Sequence, residues 1–331
     1  MSAAPQTRNR LARFAWSVLG FNLLVIVWGA VVRATGSGAG CGSHWPLCNG
    51  EVVPLEPATE TLIELFHRAT SGIALLLVIA LTVAVFRAFP KGHVARRAAM
   101  ASLILIFIEA LIGAGLVLFE LVGDNDSMAR AVYIAAHLTN TLLLVGALTL
   151  TARFSAPDRT VTSQRHWGHS LLWISFLGAL LAAVSGAIAA LGDTLFPPET
   201  LGQALAQDVS STGHLLVRLR TFHPLIAIGA GLVMLVLARR QLESPYRSTR
   251  TQRDARLLMF LVLLQMTGGV INVALLAPIW MQVVHLLMAD LMWIALVLLA
   301  ESLTTEPLKA RPRPPVETHP KESGRQERSR A

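Results

Sequence analysis

The sequence is short of charge. Only 15% of its 331 residues are Asp, Glu, Lys or Arg, whereas 53% are hydrophobic. A soluble chain carries roughly a quarter charged residues, so this one cannot cover itself with an ordinary water-facing surface. It also lacks the alternating segments of a transmembrane barrel and the lysine of a phosphate-binding P-loop. No paired aspartate-rich motif is present of the kind that would hold a diphosphate and magnesium for prenyl transfer. Cysteine is nearly absent, at two residues, Cys41 and Cys48.

Long apolar runs fill the place of the missing charge. A membrane-spanning helix needs about 20 mostly apolar residues, and eight runs qualify, near 14–34, 65–88, 98–120, 130–152, 168–191, 214–238, 256–277 and 279–302. Backbone exposed to lipid must satisfy its own hydrogen bonds, which makes helices the default. The expected fold is therefore an all-α integral membrane protein with eight transmembrane helices. The first run is longer than the core of a signal peptide and no small-x-small cleavage site follows it, so it is read as a retained span.

The net charge of +8 invites a nucleic-acid reading, but its distribution argues against one. Arg8, Arg10 and Arg13 precede the first span, and Arg87, Lys91, Arg96 and Arg97 follow the second. Arg153, Arg159 and Arg165 follow the fourth, and six arginines from Arg239 to Arg256 follow the sixth. The alternate loops carry Glu51, Glu56 and Glu60, then Glu120, Asp124 and Asp126, then Asp193, Glu199 and Asp208. Basic short loops mark the cytoplasmic side, so both termini are expected inside and the acidic loops outside. The tail 304–331 is polar, proline-rich and basic, and reads as disordered, with His319 a bystander.

The two halves resemble each other. Phe66-His67 answers to Phe222-His223 at an offset of 156, where Glu109 also falls on Gln265 and Gly113 on Gly269. Gly29-Ala30 meets Gly186-Ala187 at 157, and His137-Leu138 meets His285-Leu286 at 148, after a shortened outer loop. The expected organisation is a cytoplasmic N-terminus at 1–13 and a four-helix bundle at 14–155. A second, pseudo-symmetric bundle follows at 156–303, and then the tail.

The repeat places four histidines, His67, His137, His223 and His285, near the outer ends of the even-numbered spans. At 1.5 Å rise per residue all four lie within about 10–15 Å of the outer surface. Even-numbered helices of one bundle run parallel and diagonally opposed, so two imidazoles can face each other as axial ligation of a haem iron requires. Intramembrane ionisable groups default to function, although a single histidine is as often a helix-packing hydrogen bonder. His44, His93, His166, His169 and His214 do not share the pattern.

Arg33, Arg68, Arg218 and Arg220 lie at the same outer level. They are candidates for binding haem propionates bidentately, the bland reading being side chains that reach for water. Positive-inside bias makes outer arginines unexpected and favours the functional reading. Glu64 lies one turn before His67 and matches Arg220 in the repeat. It is either a solvated acid or a carboxylate that accepts a proton or stabilises positive charge. Glu109, Asn140 and Asp290 are read as helix-packing or ligand-supporting groups.

Assembled, these residues resemble the haem A synthase family over roughly 14–302. The resemblance is carried by "VVRATGSGAGCGSHWPLCNG" at 31–50, "IELFHR" at 63–68, "HLTNTLLL" at 137–144, "RTFHPLIAI" at 220–228 and "QVVHLLMADLMW" at 282–293. It implies an oxidoreductase that converts a methyl group of haem O to the formyl group of haem A in a bacterial inner membrane. It also implies a resident haem b on His223 and His285, a substrate site at His67 and His137, catalysis through Glu64 and a disulfide between Cys41 and Cys48. Partners would be haem O as substrate, membrane lipid, a haem O synthase and cytochrome oxidase assembly factors; a homo-oligomer is compatible. A two-haem cytochrome b that only transfers electrons is the alternative. The chain departs from some relatives in having no cysteine in the 192–213 loop. A zinc knuckle of Cys41, His44 and Cys48 would be one ligand short. On the outer face a disulfide is favoured, as a fixed staple or as a reducible participant.

Overall fold

The computed structural model describes residues 5–157, 170–210 and 213–305. They form ten helices: α1 (Pro5–Ala34), α2 (Thr59–Ala88), α3 (Val94–Leu118), α4 (Met128–Ser155), α5 (Ser170–Leu195), α6 (Leu201–Val209), α7 (Leu215–Arg220), α8 (Phe222–Glu243), α9 (Thr249–Ala274) and α10 (Ile279–Thr305). Among the described residues the only strand-like pairing is an isolated bridge between Cys48 and Glu51. Eight spans are long and apolar enough to cross a membrane, α7 and α8 together making the sixth. This is a multi-pass helical membrane protein. The tail and the loop carrying Arg159, Arg165, His166 and His169 lie outside the described residues, apart from Thr304 and Thr305.

The helices overrun the apolar runs that announce them, because polar caps lie beyond the hydrocarbon. Ser127 and Ser248 accept the backbone N–H of Arg130 and Thr251 at the starts of α4 and α9, each satisfying an otherwise orphaned donor. His93 and His214 do the same through Nδ1, for Ala95 and Leu216, which gives these two histidines a structural job. Burial, and then the nearby Arg8, holds the His93 imidazole below its ordinary pKa, in keeping with a neutral ring that accepts.

Two features go beyond the pattern of apolar runs. The 192–213 loop contains α6, capped by the Thr200 hydroxyl on Gln203 N–H. The sixth span is broken at Thr221, and α8 begins with Phe222, His223 and Pro224. Proline fits the first turn of a helix because its missing N–H would be orphaned there anyway, so Pro224 marks a new helix start.

Packing follows chain order within each half, α1 against α2 and α4, α3 against α2 and α4, then α8 against α5 and α9, and α9 against α10. The halves meet where α4 packs on α5 and α10, and α1 on α10. One continuous apolar core runs through both, from Val18 and Leu148 to Leu258 and Leu296. Trp293 joins α10 to α4 by donating from Nε1 to the Leu142 carbonyl at 2.6 Å and packs edge-on against Phe176. At the opposite end from the histidines, Arg153 of α4 reaches Glu301 at 3.1 Å and Asp254 at 3.2 Å.

That ionic junction ties α4 to α9 and α10 around a Glu301 side chain with no exposed surface. Without Arg153 the carboxylate keeps a longer contact to Arg250 at 3.5 Å and a hydrogen bond from Thr305 at 3.2 Å, so what is lost is the charge-assisted hydrogen bonding of Arg153 itself. Arg153→Ala is expected to cost about 2 kcal/mol, seen as a lower thermal-denaturation midpoint of the purified protein in detergent, with Arg153→Lys losing less.

A candidate haem-binding site with four glycine-backed histidines

The four intramembrane histidines lie at comparable depth, each within the first ten residues of its span: His67 in α2, His137 in α4, His223 at the α7–α8 junction and His285 in α10. Each faces a glycine on a neighbouring helix. A Cβ built on Gly29 would lie 2.9 Å from the His67 ring, and one on Gly186 would lie 2.9 Å from the His223 ring. The corresponding approaches are 3.7 Å for Gly113 to His137 and 3.3 Å for Gly269 to His285. These are the glycines matched in the internal repeat, and their job is to leave room for an imidazole.

Within each half the two histidines interact through their charges. His67 and His137 lie within electrostatic reach of each other, as do His285 and His223. A histidine that served only packing would spend its ring nitrogens on neighbours. Here the buried Nδ1 atoms of His67 and His285 have no hydrogen-bond partner among the described residues, that of His137 has only the Glu109 carboxylate at 3.4 Å, and His285 Nε2 lies 3.2 Å from the Gln265 amide nitrogen. His223 is oriented by Ser185, whose hydroxyl lies 3.1 Å from Nδ1, leaving Nε2 available. Two imidazoles in each half, backed by helix surface without side chains, have the donor chemistry that a haem iron takes.

Above the first pair, Glu64 is 3% exposed. Its Oε2 accepts the Cys41 backbone N–H at 2.8 Å, and its Oε1 accepts Arg68 Nε at 3.0 Å and Nη2 at 2.5 Å. Arg68 also donates to the carbonyls of His44 and Leu47 at 2.6 and 2.7 Å. Thus one ion pair on α2 grips the 41–48 loop by its backbone at both ends. Cys41 and Cys48 form a disulfide, which rules out a zinc knuckle in this state. Gly40 allows the contact: a Cβ there would lie 2.5 Å from the Glu60 backbone.

The other arginines are spent differently. Arg33 donates to the Ala190 carbonyl, the Thr194 hydroxyl and the Gln282 amide oxygen, at 2.7 to 2.8 Å, bridging α1 to α5 and α10. Arg220 is held by Asp208 at 2.6 Å and Asp193 at 3.1 Å, and by the Ala204 carbonyl of α6. Arg218 is exposed, and among the described residues its guanidinium has no partner. Of the four, Arg218 is free to meet an incoming carboxylate without breaking an existing contact. Sequence reasoning missed Arg130, 3% exposed, which donates to the carbonyls of Gly123 and Asn125. The outer-arginine signal that selected the others applies to it equally.

A family model described as cytochrome oxidase assembly protein matches residues 12–297. The chain belongs to this family. A Thermus thermophilus protein named "Protoheme IX farnesyltransferase" is 48% identical over 295 residues, covering 89% of this chain and 48% of that protein. "Heme A synthase" of Shouchella clausii is 37% identical over 142 residues, covering 43% of this chain and 44% of that protein. "Heme A synthase" of Halalkalibacterium halodurans is 33% identical over 162 residues, covering 48% and 53%. The chain spans about half the length of the curated relatives it matches. The family resemblance read from the motifs holds.

The glycine contacts predict a graded series. Gly29→Ala and Gly186→Ala force a methyl group into an imidazole, whereas Gly113→Ala makes ordinary van der Waals contact. Haem per chain, measured as the pyridine haemochrome after reconstitution with protohaem, is expected to fall by up to half in each of the first two variants, one of two sites being lost. It is expected to stay near wild type in the third.

Proposed function

We propose that the chain is a haem A synthase, a membrane oxidoreductase that takes haem O as substrate and oxidises one porphyrin methyl group to the formyl group of haem A. The observation that carries this reading is an asymmetry. Both halves carry a glycine-backed histidine pair, but only the first has a buried carboxylate one turn before a histidine, under a disulfide-closed loop. A pure electron carrier needs the histidines and has no use for that carboxylate.

In this reading His67 and His137 hold the substrate haem, and His223 and His285 hold a resident haem b. Haem b, when bound there, supplies a one-electron relay. The apolar faces of the spans accept the porphyrin and the isoprenoid tail. Arg218, whose guanidinium has no partner among the described residues, is the first candidate for a propionate, ahead of Arg33, Arg68 and Arg220, which would have to exchange existing bonds. Glu64 already receives three donors, so it fits stabilisation of positive charge developing on the substrate better than capture of a proton. Conversion of a methyl to a formyl group removes four electrons and adds one oxygen atom, so the site must pass electrons out repeatedly while keeping the same substrate.

The proposed setting is the inner membrane of a bacterium, with both termini cytoplasmic and the disulfide loop outside, supported by the arginine distribution and by the oxidised cysteine pair. The two-bundle division, 14–155 for substrate and 156–303 for haem b, follows the repeat. The name of the Thermus relative raises farnesyl transfer as a second activity. This chain matches under half of that protein and lacks an aspartate-rich pair for a diphosphate. We therefore assign prenyl transfer to the unmatched half, and place a haem O synthase beside this chain as its supplier.

Extraction of haems from cells that make this protein together with haem O tests the reading directly: haem A must appear, and its absence rejects the function. Glu64→Ala is expected to lower haem A output by at least about 10²-fold while the b-type spectrum persists. His223→Ala is expected to abolish that resident spectrum, and His67→Ala to keep it; the opposite pattern would exchange the roles of the halves.

A further inference from the structure

The repeat places Glu109 of α3 and Gln265 of α9 at the same position, each beside the histidine of the following span. Around Glu109 the structure builds a complete set of partners. Its Oε1 lies 3.4 Å from His137 Nδ1. Its Oε2 accepts Asn140 Nδ2 at 2.5 Å, and the Thr141 hydroxyl donates to Oε1. Asn140 and Thr141 lie three and four residues after His137, on the same helical face. The Thr141 hydroxyl also lies 2.9 Å from the His137 carbonyl.

The second half has none of this. Residues three and four after His285 are Met288 and Ala289, which donate nothing. The Gln265 amide nitrogen lies 3.2 Å from His285 Nε2, and its buried Oε1 has no partner among the described residues. If this position served only to pack two helices, an amide would suffice, as Gln265 demonstrates. A carboxylate in a span costs far more to desolvate, and here two side chains of α4 stand ready to offset that cost. The carboxylate has a use.

We propose that Glu109 is the positioning residue of the first-half iron site. Its carboxylate faces His137 Nδ1 from 3.4 Å and favours the tautomer that leaves Nε2 as the electron donor, whereas the neutral Gln265 meets His285 at Nε2 and gives its Nδ1 no such partner. This rests on the reading of His137 and His285 as haem ligands. A carboxylate behind a ligating imidazole raises its basicity, and a more basic axial ligand favours ferric over ferrous iron. The half that oxidises its substrate thereby holds the lower-potential haem, and one Glu-for-Gln difference makes two otherwise repeated sites unequal.

The test is a redox titration of the full-length protein loaded with protohaem, followed in the visible bands, for wild type, Glu109→Gln and Gln265→Glu. Wild type is expected to give two one-electron waves. Glu109→Gln should move one wave to more positive potential by about tenfold in the reduction equilibrium, about 59 mV for one electron, and leave the other in place. Gln265→Glu should move the other wave in the opposite direction. Glu109→Asp, which keeps the charge, should restore most of the wild-type position. Loss of haem from one half alone in Glu109→Gln supports the same role. If Glu109→Gln leaves both waves and the haem content unchanged, Glu109 is a packing group and the proposal is overturned. It is also overturned if both variants move the same wave. A wild-type protein that binds no haem rejects the functional reading itself, and this inference with it, a failure told apart because it precedes any substitution.

Discussion

The arrangement depends on a contact between an imidazole and a helix that has no side chain to offer at that point. Gly29 and Gly186 each meet a histidine ring where a Cβ would lie 2.9 Å away, so a methyl group would require the ring or the helix to shift. Because α1 must come this close to α2, other groups along the same seam can engage. Trp28 donates to the Ile63 carbonyl at 3.0 Å and its ring meets Phe66 edge-on.

On this repeated frame the two halves place opposite charges. Glu64 and Arg220 occupy the same repeat position. In the first half a carboxylate is held by Arg68 and by a loop N–H at Cys41; in the second an arginine is held by Asp193, Asp208 and a loop carbonyl at Ala204. Each is a charged residue near a histidine, neutralised locally and gripping the backbone of its outer loop. The charge is inverted, the loop in one half is closed by a disulfide, and the loop in the other is ordered as α6. Local neutralisation keeps both charges tolerable near hydrocarbon, where an unpaired one would be costly.

Much of this was legible in the sequence because membrane physics writes in long strokes. Eight apolar runs, basic loops on one side and histidines at matched depth need only composition and spacing. The paired repeat made the glycines visible but not their purpose, since a glycine match between two apolar helices says nothing of which side chain it admits. Polar contacts between distant elements stayed hidden: Arg33 bonding to α5 and α10, or Arg220 to α6, depends on how the halves dock. Helix α6 was missed because it is short and follows two prolines, Pro197 and Pro198, which mark a turn more strongly than nine residues of modest apolarity mark a helix. The break at Thr221 was half-legible, through Pro224.

The two clamps also constrain how a large planar group can enter. The Glu64–Arg68 pair joins the 41–48 loop to the same turn of α2 that carries His67, and Arg220 joins α6 to the turn before His223. A loop bonded to the ligand's own helix cannot lift away as a free lid; if it moves, it carries the start of that span with it or breaks a charged contact. Entry from the outer water would have to break these contacts, whereas entry between spans would not. The exposed apolar faces of α2, α3, α8 and α9, with Leu76, Leu111, Leu225 and Val270 each about two-thirds exposed, border that route with hydrocarbon. On the proposed function, a substrate with an isoprenoid tail would already be dissolved in the medium from which such a route begins, so the loops could stay closed over the polar edge while the apolar body arrives from the side.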